Sequence, residues 1–230
     1  LAEAAGSTPV DPGLTQVVAV VAGEGNKVLF RNLGIGLVVD GGQSMNPSAE
    51  DLMRAIECAA APSVVVLPNN SNIIMTAEQT ARLAGREVHV VPTRSIQAGL
   101  TAAVAYDKRH PGVDNVRAMS SALDGVITAE VTRAVRDSLV DGVEIKEQDF
   151  IGLVEDKAVV ASPDLEAVVK EVLVRLLDGG RETVTALLGE DEDSDRAGEI
   201  VGRLRGLHPG VEIEVHVGGQ PFYPLLLSAE

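Results

Sequence analysis

Along the first half of the chain, short apolar runs alternate with amphipathic stretches and glycine-marked breaks. Thr15–Ala22, Leu37–Val39, Ser63–Leu67 and Glu87–Val91 read as strands, valine-rich in the manner of strands buried on both faces. Asn26–Leu33, a stretch from Ser48 to about Ala60, Ile73–Leu83 and Ser95–Tyr106 carry helical spacing between and after them. Ser48 with Asp51 three residues on is a capping signal, and the acid also complements the helix dipole. Strict strand–helix alternation with short connections predicts right-handed crossovers and a mostly parallel βαβ sheet sandwiched by helices.

The pattern breaks at Lys108–Gly112, and Asp114–Leu123 supplies one more helix. After Gly125 the texture changes. Val126–Val135 alternates like a half-buried antiparallel strand, and Val143–Lys146, Asp149–Val154 and Ala158–Ala161 read as short strands. A helix over Pro163–Leu177 with Ser162 as its cap follows, ended by Gly179-Gly180. Then come a strand at Thr183–Leu188, a helix at Ser194–Leu207 capped by Ser194 or Asp193, and strands at Val211–Val217 and Phe222–Ser228. The fold class is therefore α/β, with a linker over 1–14, a parallel α/β subdomain over 15–124 and a mixed α+β subdomain over 125–230. The opening run to Gly13 is linker-like, as expected of a piece of a longer chain.

Composition narrows the core and the partners. Hydrophobic residues are 45% but aromatics only 2%, so Val, Leu, Ile and Ala must fill the interior. The net charge is −15, of which −12 falls in residues 125–230. That balance opposes a nucleic-acid backbone or an anionic membrane surface as partner, and no apolar run is long enough to span a bilayer. A single cysteine, Cys58, cannot form an internal disulfide; it reads as a small buried apolar side chain in a cytoplasmic protein.

The chemistry-bearing residues collect in loops after the apolar runs. They are Gly23-Glu24-Gly25, Gly41-Gly42-Gln43-Ser44-Met45-Asn46-Pro47, Pro68-Asn69-Asn70-Ser71-Asn72 and Pro92-Thr93-Arg94-Ser95. Loops leaving the carboxyl ends of parallel strands share one crevice, where ligands and partners dock. The candidate binding residues there are Gly41, Gly42, Gln43, Asn46, Asn69, Asn70, Asn72 and Arg94. The Gly-Gly-Gln-x-x-x-Pro phrase recurs at Gly218-Gly219-Gln220, which adds those three. No catalytic residue or metal ligand is assigned. Gly23-x-Gly25 lacks the third glycine of a dinucleotide fingerprint, there is no P-loop, and Asp191–Asp195 fails the calcium-loop pattern at Arg196 and Gly202. His89, His110, His208 and His216 have no partners at metal-ligand spacing.

Taken together, Val21–Gly25, Val39–Asp51, Leu67–Ile74, Val91–Leu100 and the closing Gly-Gly-Gln-Pro-Phe-Tyr-Pro carry a family likeness. They resemble the C-terminal domain of the dihydroxyacetone-kinase-like A subunit of bacterial fatty acid kinase. The resemblance covers residues 15–230. It implies that Mg-ATP is held by a separate N-terminal domain, so this fragment carries no cofactor and alone transfers no phosphate. It further implies docking of a fatty-acid-binding subunit whose acyl carboxylate is the phosphoryl acceptor, and it is compatible with a homodimer. The alternative is a domain that binds or transforms a lipid, triose or nucleotide in the strand-end crevice.

Overall fold

The computed structural model describes residues 12–41, 46–207 and 210–230. The first half builds β1 (Thr15–Val21), α1 (Glu24–Asn32), β2 (Leu37–Asp40), α2 (Ala49–Glu57), β3 (Ser63–Leu67), α3 (Ile74–Leu83), β4 (Glu87–Val90), α4 (Ile96–Val104) and α5 (Gly112–Ser121). The four strands form one parallel sheet in the order β2-β1-β3-β4. Every residue of β3 is buried, which is why Val-Val-Val runs there without polar alternation. The Ser48/Asp51 capping box forms as expected: Asp51 N–H donates to Ser48 Oγ at 3.1 Å and Ser48 N–H to Asp51 Oδ2 at 3.2 Å.

The second half contains β5 (Ile127–Arg133), β6 (Ser138–Val140), β7 (Val143–Ile145), β8 (Phe150–Val154), β9 (Lys157–Ser162), α6 (Leu165–Leu177), β10 (Thr183–Leu188), α7 (Glu192–Leu207), β11 (Glu212–Val217) and β12 (Leu225–Ala229). Six strands make a mixed sheet, β11-β10-β12-β5-β8-β9, in which only β10 and β11 run parallel. The remaining two, β6 and β7, pair as a small hairpin.

Three apolar clusters order these parts into layers. Val18, Val20, Val64 and Val66 face Leu52 and Ile56 of α2 and Ala77 of α3. The opposite face of the parallel sheet, with Val17, Ala19 and Leu67, packs on Phe30, Ile96 and Met119 of α1, α4 and α5. That middle cluster also takes in Leu187 and Leu226, so the helices lie between the two sheets. The far face of the mixed sheet is covered by α6 and α7 through residues such as Val168, Leu176, Ile200 and Leu204. Among the described residues no helix is long and apolar enough to cross a membrane.

Four local expectations are corrected. The helix after β9 starts at Leu165 and is capped by Asp164, which accepts from Glu166 N–H at 3.0 Å; Ser162 instead accepts from Asp164 N–H. Before α7, Asp191 Oδ1 takes both the N–H and the hydroxyl of Ser194, so the cap is one turn earlier than expected. The last strand begins at Leu225, because Phe222 adopts a left-handed φ of 64° that no strand continues. Cys58 is exposed, since it falls just beyond α2, whose buried face is Leu52 and Ile56.

Candidate functional site

The cleft at the carboxyl ends of β3 and β4 has a volume of about 180 Å³ and is lined by Asn70, Asn72, Arg94, Glu130, Asp156 and Tyr223, among others. Its floor is held by Asn69. That residue sits in a left-handed conformation, φ 54°, which Asn tolerates through its short polar side chain. Its Nδ2 donates to Val20 O at 2.9 Å, and its Oδ1 accepts from the Thr93 hydroxyl at 2.7 Å. Three strand ends are thereby tied together. Asn69 is buried and its amide serves the loop, whereas Asn70 and Asn72 stay at the surface, linked by Asn72 N–H donating to Asn70 Oδ1 at 2.9 Å.

The far wall comes from the mixed sheet. The β8–β9 turn carries Glu155 and Asp156, both at positive φ, and its tip reaches the loops of the parallel sheet. Arg94 Nη1 lies 3.4 Å from Asp156 Oδ2, and the Ser71 hydroxyl donates to the same oxygen at 3.3 Å. Both groups are exposed, so this contact adds little to stability and leaves the guanidinium open to another anion.

Glu130 projects from β5 into the cleft. The alternation that predicts β5 places Thr128, Glu130 and Thr132 on one face; that face looks inward, over the cleft and the middle layer. Burial, reinforced by the Asp156 charge, pushes the Glu130 carboxyl up to about 7. Burial and these two acids likewise raise the Tyr223 hydroxyl to about 12, so it stays a hydrogen-bond donor. Phe222, beside it, is 59% exposed; its carbonyl accepts from the Thr132 hydroxyl at 2.8 Å.

The Gly218-Gly219-Gln220 turn goes elsewhere. A Cβ on Gly23 or Gly25 would collide with the backbone of Val217 to Gln220, so the glycines of the first turn admit another stretch of chain instead of a pyrophosphate. Asn26 seals the contact: its N–H donates to Gly218 O at 2.9 Å and its Nδ2 to Gln220 Oε1 at 3.0 Å. Gln220 is fully buried and donates both amide hydrogens inward, to Leu187 O and Tyr223 O at 3.0 Å each. Of the sequence candidates, then, Asn69, Asn70, Asn72 and Arg94 meet at the cleft. Gly218, Gly219 and Gln220 clamp the β1–α1 turn and support Tyr223 from behind. Gly41 is buried and bonded to Val21 O, Asn46 is exposed, and neither lines the cleft. Gly42 and Gln43, with most of the first Gly-Gly-Gln phrase, lie outside the described residues.

Sequence reasoning missed Glu130, Asp156, Tyr223, Phe222 and Asn26. Glu130 left a signal as an acid inside an alternating strand, and Phe222 and Tyr223 stand in the closing motif that carries the family likeness. Asp40, at the end of β2, binds Lys27 Nζ at 2.8 Å. Burial pulls the Lys27 amine down, but hydrogen bonds to Asp40 and Glu24 outweigh it and leave the amine above its usual value. In the acidic run that opens α7, Asp193 pairs with Arg133 at 2.6 Å. Among the described residues no group of three or more His, Cys, Asp or Glu side chains is arranged to hold a metal.

A two-sheet α/β domain with a polar strand-end cleft and an internal glycine–glutamine clamp defines the class. The chain belongs to the C-terminal family of fatty acid kinase A-like subunits, whose model matches residues 16–230. It is 40% identical over 216 residues to an uncharacterized protein of Staphylococcus epidermidis, and 37% to proteins of Staphylococcus aureus. The match covers 94% of this chain and 39% of each relative, so the chain spans well under half their length. Among solved structures it resembles the Streptococcus pneumoniae fatty acid kinase B3 protein loaded with linoleic acid (TM-score 0.63, 12% identity, 94% of this chain and 99% of that one). It also resembles a Thermotoga maritima protein described as revealing fatty acid binding function (0.65, 10%, 95% and 99%). The dihydroxyacetone kinase of C. freundii, in complex with AMP-PNP and Mg2+, aligns over 49% of its length (0.64, 14%, 96% of this chain). At these identities the likeness is one of fold.

Proposed function

We propose that this domain docks a fatty-acid-binding protein, presenting its bound acyl carboxylate to an ATP domain elsewhere in a fatty acid kinase. The observation that carries the reading, beside family membership, is the make-up of the cleft rim. Asn72 and Arg94 line the cleft and stand exposed over a frame braced by Asn69, and Phe222, exposed beside the lining Tyr223, sits on the turn that Gln220 braces. Aromatic and guanidinium groups on a preorganised frame are the usual anchors of protein interfaces. The cleft itself is poorly suited to the acyl group. Its volume is about 180 Å³, and the Asp156 carboxylate, joined by Glu130 once that group ionises, would repel a second carboxylate. In this reading the acyl chain stays in the partner, Mg-ATP binds the separate domain, and the complex works in the cytoplasm.

A small molecule in the strand-end cleft is the second reading, supported by the fold shared with a linoleate-loaded protein. Titration calorimetry with the fatty-acid-loaded binding protein separates the two. Docking is expected to be saturable and at least tenfold weaker for the triple variant Asn72→Ala, Arg94→Ala, Phe222→Ala at an unchanged melting temperature. No heat with the wild-type chain rejects docking; an unweakened triple variant rejects this rim. A small molecule retained in native mass spectra and lost on Glu130→Leu favours the second reading.

A further inference from the structure

A second, larger cavity lies away from the strand-end loops, between α1, α4 and the inner face of the mixed sheet, with a volume of about 530 Å³. That is within the range of small-molecule sites. Its two walls differ in chemistry. Leu29 of α1 with Leu100 and Val104 of α4 supply an apolar roof. The floor is a cross-strand row in which Glu214, Thr185 and Ser228 stand side by side on β11, β10 and β12. Polar side chains on an inner sheet face are unusual where an apolar helix layer packs opposite. Here the two walls stand apart, and the space between them is amphipathic.

Gln97 marks the inner end, in the wall shared with the strand-end cleft. It is 1% exposed, and its amide hydrogens go to Ala129 O at 3.0 Å and Leu227 O at 3.3 Å. Those two bonds fix which way the amide points and leave Oε1 buried without a partner among the described residues. Leaving a buried acceptor unpaired is costly, and a ligand bearing a donor would recover that cost. The charges choose the ligand's sign. Glu214 and Glu230 line the cavity beside His216, and among the described lining residues there is no Lys or Arg.

We propose that this cavity binds a single-chain amphiphile whose head donates hydrogen bonds and carries no negative charge, such as an alkyl alcohol or alkylammonium. Its chain lies against Leu29 and Leu100, and its head reaches the Gln97 carbonyl oxygen. The site is separate from the docking rim and does not rest on the docking reading.

The test titrates octan-1-ol, octylammonium and octanoate into the labelled protein and follows backbone amide shifts at Leu29, Leu100 and Thr185. Saturable shifts are expected for the alcohol and the ammonium, with affinities at least tenfold above that of octanoate. Val104, 72% exposed at the mouth, tolerates a large residue, so Val104→Trp should keep the melting temperature and weaken binding at least tenfold. Gln97→Met should weaken the alcohol more than it weakens octane. Octanoate binding as tightly as octylammonium, undiminished binding to Val104→Trp, or no saturable shift at these amides overturns the proposal.

Discussion

Two turns that look alike in sequence serve different ends in the fold. Pro68–Asn72 and Gly218–Gln220 are both short, carry side-chain amides (three and one) and follow a strand. In the first, Asn69 turns inward and ties three strand ends, while Asn70 and Asn72 remain at the surface beside Arg94. In the second, the Gln220 amide turns wholly inward and the surface group is the apolar ring of Phe222. A polar loop residue is therefore not a binding residue by type. What decides is whether the neighbouring chain turns backbone carbonyls toward it, as Val20, Leu187 and Tyr223 do.

The sharpest way to break this contrast is Gln220→Ala, which strands Leu187 O and Tyr223 O and leaves the Asn26 amide only its bond to Ala22 O. A loss of about 3 kcal/mol is expected by chemical denaturation, because buried groups left unpaired lose their full desolvation energy. A loss below about 1 kcal/mol would mean that the turn is not a brace.

Close to it in size is the titration of Glu130. Its folded value is raised to about 7 from 4.5. The favourable contribution is fully present below pH 4.5 and is lost as pH rises through about 7, because ionising the buried carboxyl opposes folding. Glu130→Gln should match wild type at pH 4 and exceed it by about 3 kcal/mol at pH 8. Parallel stability curves across that window would place Glu130 in water.

Phe222→Gly comes third. Glycine relieves the left-handed backbone at φ 64°, and a ring 59% exposed gives up little burial, so stability should rise by about 1 kcal/mol. Partner affinity should fall at the same time, since the anchor is gone. The smallest effect on stability is Arg94→Ala. Its contact with Asp156 is 3.4 Å and exposed, so a change under about 0.5 kcal/mol is expected, with a clear loss of docking.

The parallel half was legible in sequence because its determinants are local. Valine runs, the Ser48 cap and the breaks at Gly34 and Gly85 place β1 to β4 and their helices to within two or three residues at most ends. The mixed sheet was legible only strand by strand. That β12 slots between β10 and β5 is a matter of long-range pairing, which no local pattern encodes. The cleft suffered most from this. Asp156 reaches Arg94, and Glu130 the same cleft, only through that strand order, and the left-handed Phe222 sits where an apolar run looked like a strand start.

The most direct test of docking at the strand-end rim is hydrogen–deuterium exchange with and without the fatty-acid-loaded binding protein. Slowed exchange is expected at residues 68–72, 92–95, 155–156 and 221–223, with α6 and α7 unchanged. Protection confined to α6 and α7, or none anywhere at saturating partner, would contradict it.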